Sequence, residues 1–193
     1  MQNRLLPAVV ICISISSALG QPTRNAGAQS NWGFPEFIQA TDAYRRGDCQ
    51  TAWELMWPLA KAGRHEAIYF LWSSLVGKMI PPGNAASSPS DLHRHMLTLA
   101  AYTAAGPKGA NPFHGDPEYR WAHQEIPNLI AQLNFGREGQ EVAQCYASNA
   151  SFQECLRLAV KLDVIPDFQN YAKRSDAELQ QTGRRASCRR YPG

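Results

Sequence analysis

Five histidines, five cysteines and sixteen carboxylates are the side chains of this 193-residue sequence that could ligate a metal, attack a bond or form a cross-link. The histidines (His65, His93, His95, His114 and His123) are not spaced as a metal set. His93 and His95 are two apart, which on a helix sends them to different sides, and no His-Glu-x-x-His run occurs. No Gly-x-Ser-x-Gly elbow, phosphate-cradling Gly-rich loop or Cys-x-x-Cys redox pair is present. Glu118 and Glu125 stand about two turns apart on one expected helix, beside Tyr119 and Trp121, and imitate a carboxylate pair for glycoside cleavage. Carboxylates from a single helix rarely flank a scissile bond, so a solvated face is the better account. No catalytic, cofactor-binding or metal-ligating set follows from these residues.

The cysteines become informative once the compartment is read. Met1 to Arg4 carries the only charge before residue 24, Leu5 to Ile15 is almost continuously apolar, and Ser16-Ser17-Ala18-Leu19-Gly20 then turns small. This is the three-part pattern of a secretory signal peptide, residues 1–20, cleaved before Gln21, with Ala26-Gly27-Ala28 a later alternative. The apolar run is shorter than the roughly 18 residues of a spanning helix, and Val9-Val10-Ile11 before Cys12 is wrong for lipid attachment. The expected product is soluble and exported, periplasmic or secreted, without stable membrane insertion. Cleavage removes Cys12 and Arg4, leaving four cysteines and a formal net charge of +2 instead of +3.

An even count in an oxidising compartment reads as disulfides. Cys145 and Cys155 bracket Ser148-Asn149-Ala150-Ser151, where one helix should stop and the next turn back, so their side chains can meet across a helical hairpin. Closing a loop of that length stabilises by about 2 to 3 kcal/mol in the chain-entropy account. Cys49 and Cys188 then either pair, drawing the tail onto the first helix pair, or stay free. Asn149-Ala150-Ser151 is also a glycosylation sequon, which matters only in a eukaryotic secretory pathway.

A composition of 44% hydrophobic and 18% charged residues with a net charge of only +3 argues against a wholly disordered chain and a dedicated polyelectrolyte binder, so no nucleic-acid partner is expected. Residues 21–33 are polar, small and without period, a flexible arm. A first helix runs from Pro35 to Gly47. Asp48 caps a second, which Gly63 closes and Pro58 should kink or shorten. A third spans Arg64 to about Val76, and residues 80–90 form a Pro/Gly/Ser loop. A fourth, capped by Ser90 or Asp91, ends at Gly106-Pro107. Pro117 opens a fifth, to about Phe135, which Pro127 bends or divides. Helices at 138–147 and 151–164 follow, Pro166 opens a last segment, and the chain frays from Gly183. No stretch alternates with strand period, so the class is all-α.

Trp53, Trp57, Tyr69 and Trp72 fall within twenty residues. As a groove they would line a peptide site, and as core rings they would fill a helix pair, the commoner use. Tyr44, Trp53 and Trp57 are the candidates for a partner-contact face. Residues 183–193 carry Arg184, Arg185, Arg189 and Arg190, a basic tail for anionic surfaces or simply a solvated end.

Ala43-Tyr44-Arg45-Arg46-Gly47-Asp48-Cys49-Gln50-Thr51-Ala52, then Pro58-Leu59-Ala60-Lys61-Ala62-Gly63, then Glu66-Ala67-Ile68-Tyr69-Phe70-Leu71, resembles the Sel-like subfamily of tetratricopeptide repeats. Leu99-Ala100-Ala101 up to Gly106 is similar to the later ending of that repeat. The resemblance covers about residues 40–106 and implies short antiparallel helix pairs in a compact right-handed array over 34–106. A further helical region, 107–182, would carry a C-terminal hairpin. It implies a non-catalytic scaffold of the bacterial envelope that binds a protein or peptide, with no cofactor. The competing expectation is a secreted or periplasmic hydrolase acting on a glycan or peptidoglycan.

Overall fold

The computed structural model of the chain describes residues 33–86, 88–107, 120–148 and 150–189. The expected leader, nearly all of the arm, the Pro117 helix start with His114 and Glu118, the sequon's Asn149, and Arg190 lie outside the described residues. Within them the chain is mostly helical, with α1 at Pro35–Arg45, α2 at Cys49–Lys61, α3 at His65–Gly77 and α4 at Pro89–Ala104. Then come α5 at Arg120–Leu133, α6 at Gly136–Ala147, α7 at Phe152–Lys161 and α8 at Phe168–Thr182.

Local chemistry accounts for most boundaries. The Asp48 carboxylate accepts from the Thr51 N–H at 3.0 Å and starts α2, and Ser151 and Glu154 form a reciprocal capping box at α7. Asp167 caps α8, and Gly183, in the left-handed conformation, ends it. Gly47 and Gly63 both sit at φ +82° with open space where a Cβ would be, so backbone conformation alone requires glycine there.

The starts and the prolines differ in places from the sequence expectation. Helix α4 begins at Pro89 with Ser88 as its cap, because proline's fixed φ and missing N–H suit a first helical position. Pro58 neither ends nor shortens α2, which continues to Lys61. Both Pro58 and Glu54, whose carbonyl loses its helical partner, are exposed, so water can reach that carbonyl. Pro127 likewise lies inside one continuous α5.

Two two-residue strands, β1 at Met79–Ile80 and β2 at Ser187–Cys188, pair antiparallel with Met79 opposite Cys188. They are too short to show a period in sequence. They also correct the frayed tail. Up to Arg189 the tail is fastened by β2, by the Gly83 N–H donating to the Arg184 carbonyl at 3.0 Å and by the Arg189 N–H donating to the Lys78 carbonyl at 2.7 Å. Ala186 is buried. The Arg184, Arg185 and Arg189 side chains remain exposed.

Each helix from α1 to α6 packs on the next, and α8 returns to α4, α2 and the 3-10 turn at Gly83–Ala86. The interior forms two clusters. The first joins α1, α2, α3 and β1 to Tyr171 and Ala172 of α8 and to Ala186. The second joins α5, α6 and α7 to Val164 and Ile165. Helix α4 serves both, giving Leu92 and Leu99 to the first and Leu97, Ala100, Ala101 and Ala104 to the second, while Trp72, Met96 and Tyr102 touch each. No helix among the described residues is long and apolar enough to cross a membrane.

Candidate functional site

The aromatic candidates are interior groups. Trp53 and Trp57 are 3% and 6% exposed and stack at 5.0 Å. The Trp57 Nε1–H donates at 2.7 Å to the Asp176 carboxylate, which also takes Lys61 at 2.8 Å. Tyr44 is half-buried. Its hydroxyl accepts from the Lys78 N–H at 3.1 Å and donates to the Ser74 carbonyl at 3.3 Å, closing the end of α3. Of the three contact-face candidates, Trp53 and Trp57 are thus buried in the first core, and Tyr44 packs at its edge against Phe70.

The cysteines are joined as Cys145–Cys155, across the α6–α7 hairpin, and Cys49–Cys188, which ties the start of α2 to β2. Among the described residues no three His, Cys, Asp or Glu side chains gather as a metal set. His123 is engaged by the Tyr146 carbonyl at 2.6 Å. The His65 Nδ1 is buried without a hydrogen-bond partner among the described residues, and burial lowers its pKa.

The residues that do converge on a cavity went unnoticed in the sequence. Helices α4 and α8 run antiparallel. Tyr102, late in α4, donates to the Pro166 carbonyl just before α8, whereas Glu178, late in α8, accepts from the Asn84 N–H shortly before α4. Asp91, Arg94, His95 and Thr98 follow the i, i+3, i+4, i+7 rule on α4, and Tyr171, Arg174, Ser175 and Glu178 follow it on α8. These two stripes line a cavity of about 100 Å³ whose apolar wall is Leu97, Phe135, Val164 and Pro166. The only signal available in sequence was this pair of polar stripes on helices otherwise read for their apolar faces.

At its centre His95, 7% exposed, meets the Tyr171 hydroxyl through Nδ1 at 2.8 Å. Burial lowers the His95 pKa to about 4; Asp91 opposes the shift and Arg174 adds to it. Burial likewise raises the pKa of Tyr171, against a hydrogen bond from Ser175. Both rings are thus neutral at physiological pH, and the charges stand around them. The groups that such a site offers a ligand are hydrogen-bond partners and charges. His95 is oriented by a tyrosine rather than a carboxylate and is kept away from the pKa near neutrality that suits a general base.

Compared with family models, curated proteins and solved structures, the chain matches none.

Proposed function

We propose that this chain is an exported, non-catalytic interaction module of the bacterial envelope. Its first helices form a degenerate Sel-like repeat of tetratricopeptide type in a right-handed array, and residues 1–20 are removed as a signal peptide. The observation that carries the reading is that all four cysteines left after leader removal are consumed in two disulfides, one fastening each core. Such cross-links persist in oxidising compartments, and a stapled helical array offers a fixed surface to a partner. The repeat assignment is supported by the packing of each short helix on the next from α1 to α4.

The test is a thiol count on protein purified from its native envelope without reductant, joined to photo-crosslinking from Ile38 and Val76, each 51% exposed. No titratable thiol and one discrete protein adduct are expected. Free thiols would remove the export reading, and the absence of any adduct from either position would remove the interaction reading.

A second reading, a hydrolase acting on glycan or peptidoglycan, draws on the placement of Asp91 and Glu178 with His95 around one cavity. It requires sugar or peptide release from a peptidoglycan digest by the purified protein, abolished by Glu178→Gln. No release means no hydrolase.

A further inference from the structure

The cavity between α4 and α8 has a charge order that follows from helix direction. Because the two helices are antiparallel, Asp91 and Glu178 stand at one end. Arg94 lies one turn further along α4 and Arg174 one turn earlier on α8, so both arginines leave the backbone at a similar level, about 5 Å along the axes from the two acidic positions. None of these four side chains is ion-paired with another described residue. Among the described residues the Glu178 carboxylate takes the 3.4 Å contact from Asn84, and the Arg94 guanidinium lies 5.3 Å from the centre of the Phe135 ring.

The floor supplies an independent observation. His95 is buried and its Nδ1 is taken by Tyr171, while its Nε2 has no hydrogen-bond partner among the described residues. With Tyr171 donating to Nδ1, the neutral ring carries its proton on Nε2 as a donor. That atom is not sealed from solvent, and His95 lines the cavity, so a ligand seated there can reach it. The size is also selective: about 100 Å³ is below the roughly 150 Å³ of an engineered cavity that holds benzene, so a ligand on the order of four or five heavy atoms, such as glycine, is accommodated.

We propose that this cavity binds a small zwitterion of amino-acid size, its ammonium toward Asp91 and Glu178 and its carboxylate toward Arg94, Arg174 and the Nε2 of His95. A simple anion or cation would meet only half of the charge order. A zwitterion meets both signs, and the apolar wall of Leu97, Val164 and Phe135 leaves room beside it for a small aliphatic side chain. The site is independent of the interaction-module reading, since an envelope adduct can fail to form while the amino acid still binds, and the reverse.

The experiment is calorimetric titration of the oxidised full chain with glycine, L-alanine, D-alanine and L-leucine, with acetate and methylammonium as single-charge controls. At least one amino acid should bind, and Arg174→Gln and Glu178→Gln should each weaken it roughly tenfold or more, as expected for loss of a charge-assisted hydrogen bond. Lys173→Gln, exposed on the same helix but outside the cavity, should leave affinity unchanged. The proposal is overturned if no amino acid binds, if acetate or methylammonium binds as tightly, or if both cavity variants keep full affinity. Should a variant fail to fold, the His95 imidazole ¹⁵N resonance of the unsubstituted protein decides: Nε2 shifts on addition of the amino acid, and an unmoved resonance overturns the site.

Discussion

The two cores of this chain are built in opposite ways. The second takes consecutive helices from α4 to α7, together with the turn that follows, and its disulfide closes 10 residues of sequence. The first takes α1, α2 and α3 and completes itself with α8 and the tail, through a disulfide that spans 139 residues. One is a product of neighbours, the other of distant segments, and a cross-link restricts the unfolded chain more as the loop it closes lengthens.

That contrast sets the largest expected effect. Replacing Cys49 and Cys188 together by Ala should cost about 5 kcal/mol of unfolding free energy, against about 3 kcal/mol for Cys145 and Cys155, both from the chain-entropy relation. Urea denaturation of the two double variants without reductant measures the difference, and equal losses would dissolve the distinction between the cores.

Next in size is a pH effect at α4, the helix both cores share. The His95 pKa is lowered by burial to about 4 in the folded chain from an ordinary 6.5. Between these values the unfolded chain binds the extra proton, so stability is complete above pH 6.5 and falls as the pH drops toward 4. The loss is about 3 kcal/mol. Urea midpoints across this window should flatten in His95→Gln, and an unchanged slope would show that other groups carry the acid sensitivity.

The bond that joins α8 to α2 comes third. Asp176→Ala strands the buried Trp57 N–H and should cost about 2 kcal/mol. Little of that comes from the partly exposed Lys61 pair, because surface ion pairs contribute at most about 1 kcal/mol. Lys61→Met should therefore have a much smaller effect in the same thermal melt.

The smallest test compares one hydroxyl from each core. Tyr44→Phe removes two hydrogen bonds and should destabilise by about 1 to 2 kcal/mol. The buried Tyr146 hydroxyl has no hydrogen-bond partner among the described residues, so Tyr146→Phe should be neutral or stabilising by up to about 1 kcal/mol. The same sign in both melts would erase this contrast.

The pattern of what could be read follows the same division. The hairpin bridged by Cys145 and Cys155 is written in adjacent residues, a Ser151 cap and two amphipathic stretches. The tail from Gly183 is polar and basic, and nothing local in it marks Ala186 as buried or Ser187–Cys188 as a strand; those states exist only because Met79, Gly83 and Cys49 are opposite. The candidate site was missed for a related reason. Asp91, Arg94, His95 and Thr98 look like the wet side of α4 until α8 returns antiparallel with a matching stripe.

Local rules of propensity, capping and periodicity determined from the sequence alone that the described chain would be helical and where most of its helices begin and end. Whether Cys49 would meet Cys188, which face of α4 would meet which core, and that two polar stripes would enclose one cavity were decided by the tertiary structure. These depend on contacts between residues far apart in sequence, whose closure is favourable only once the intervening helices have packed.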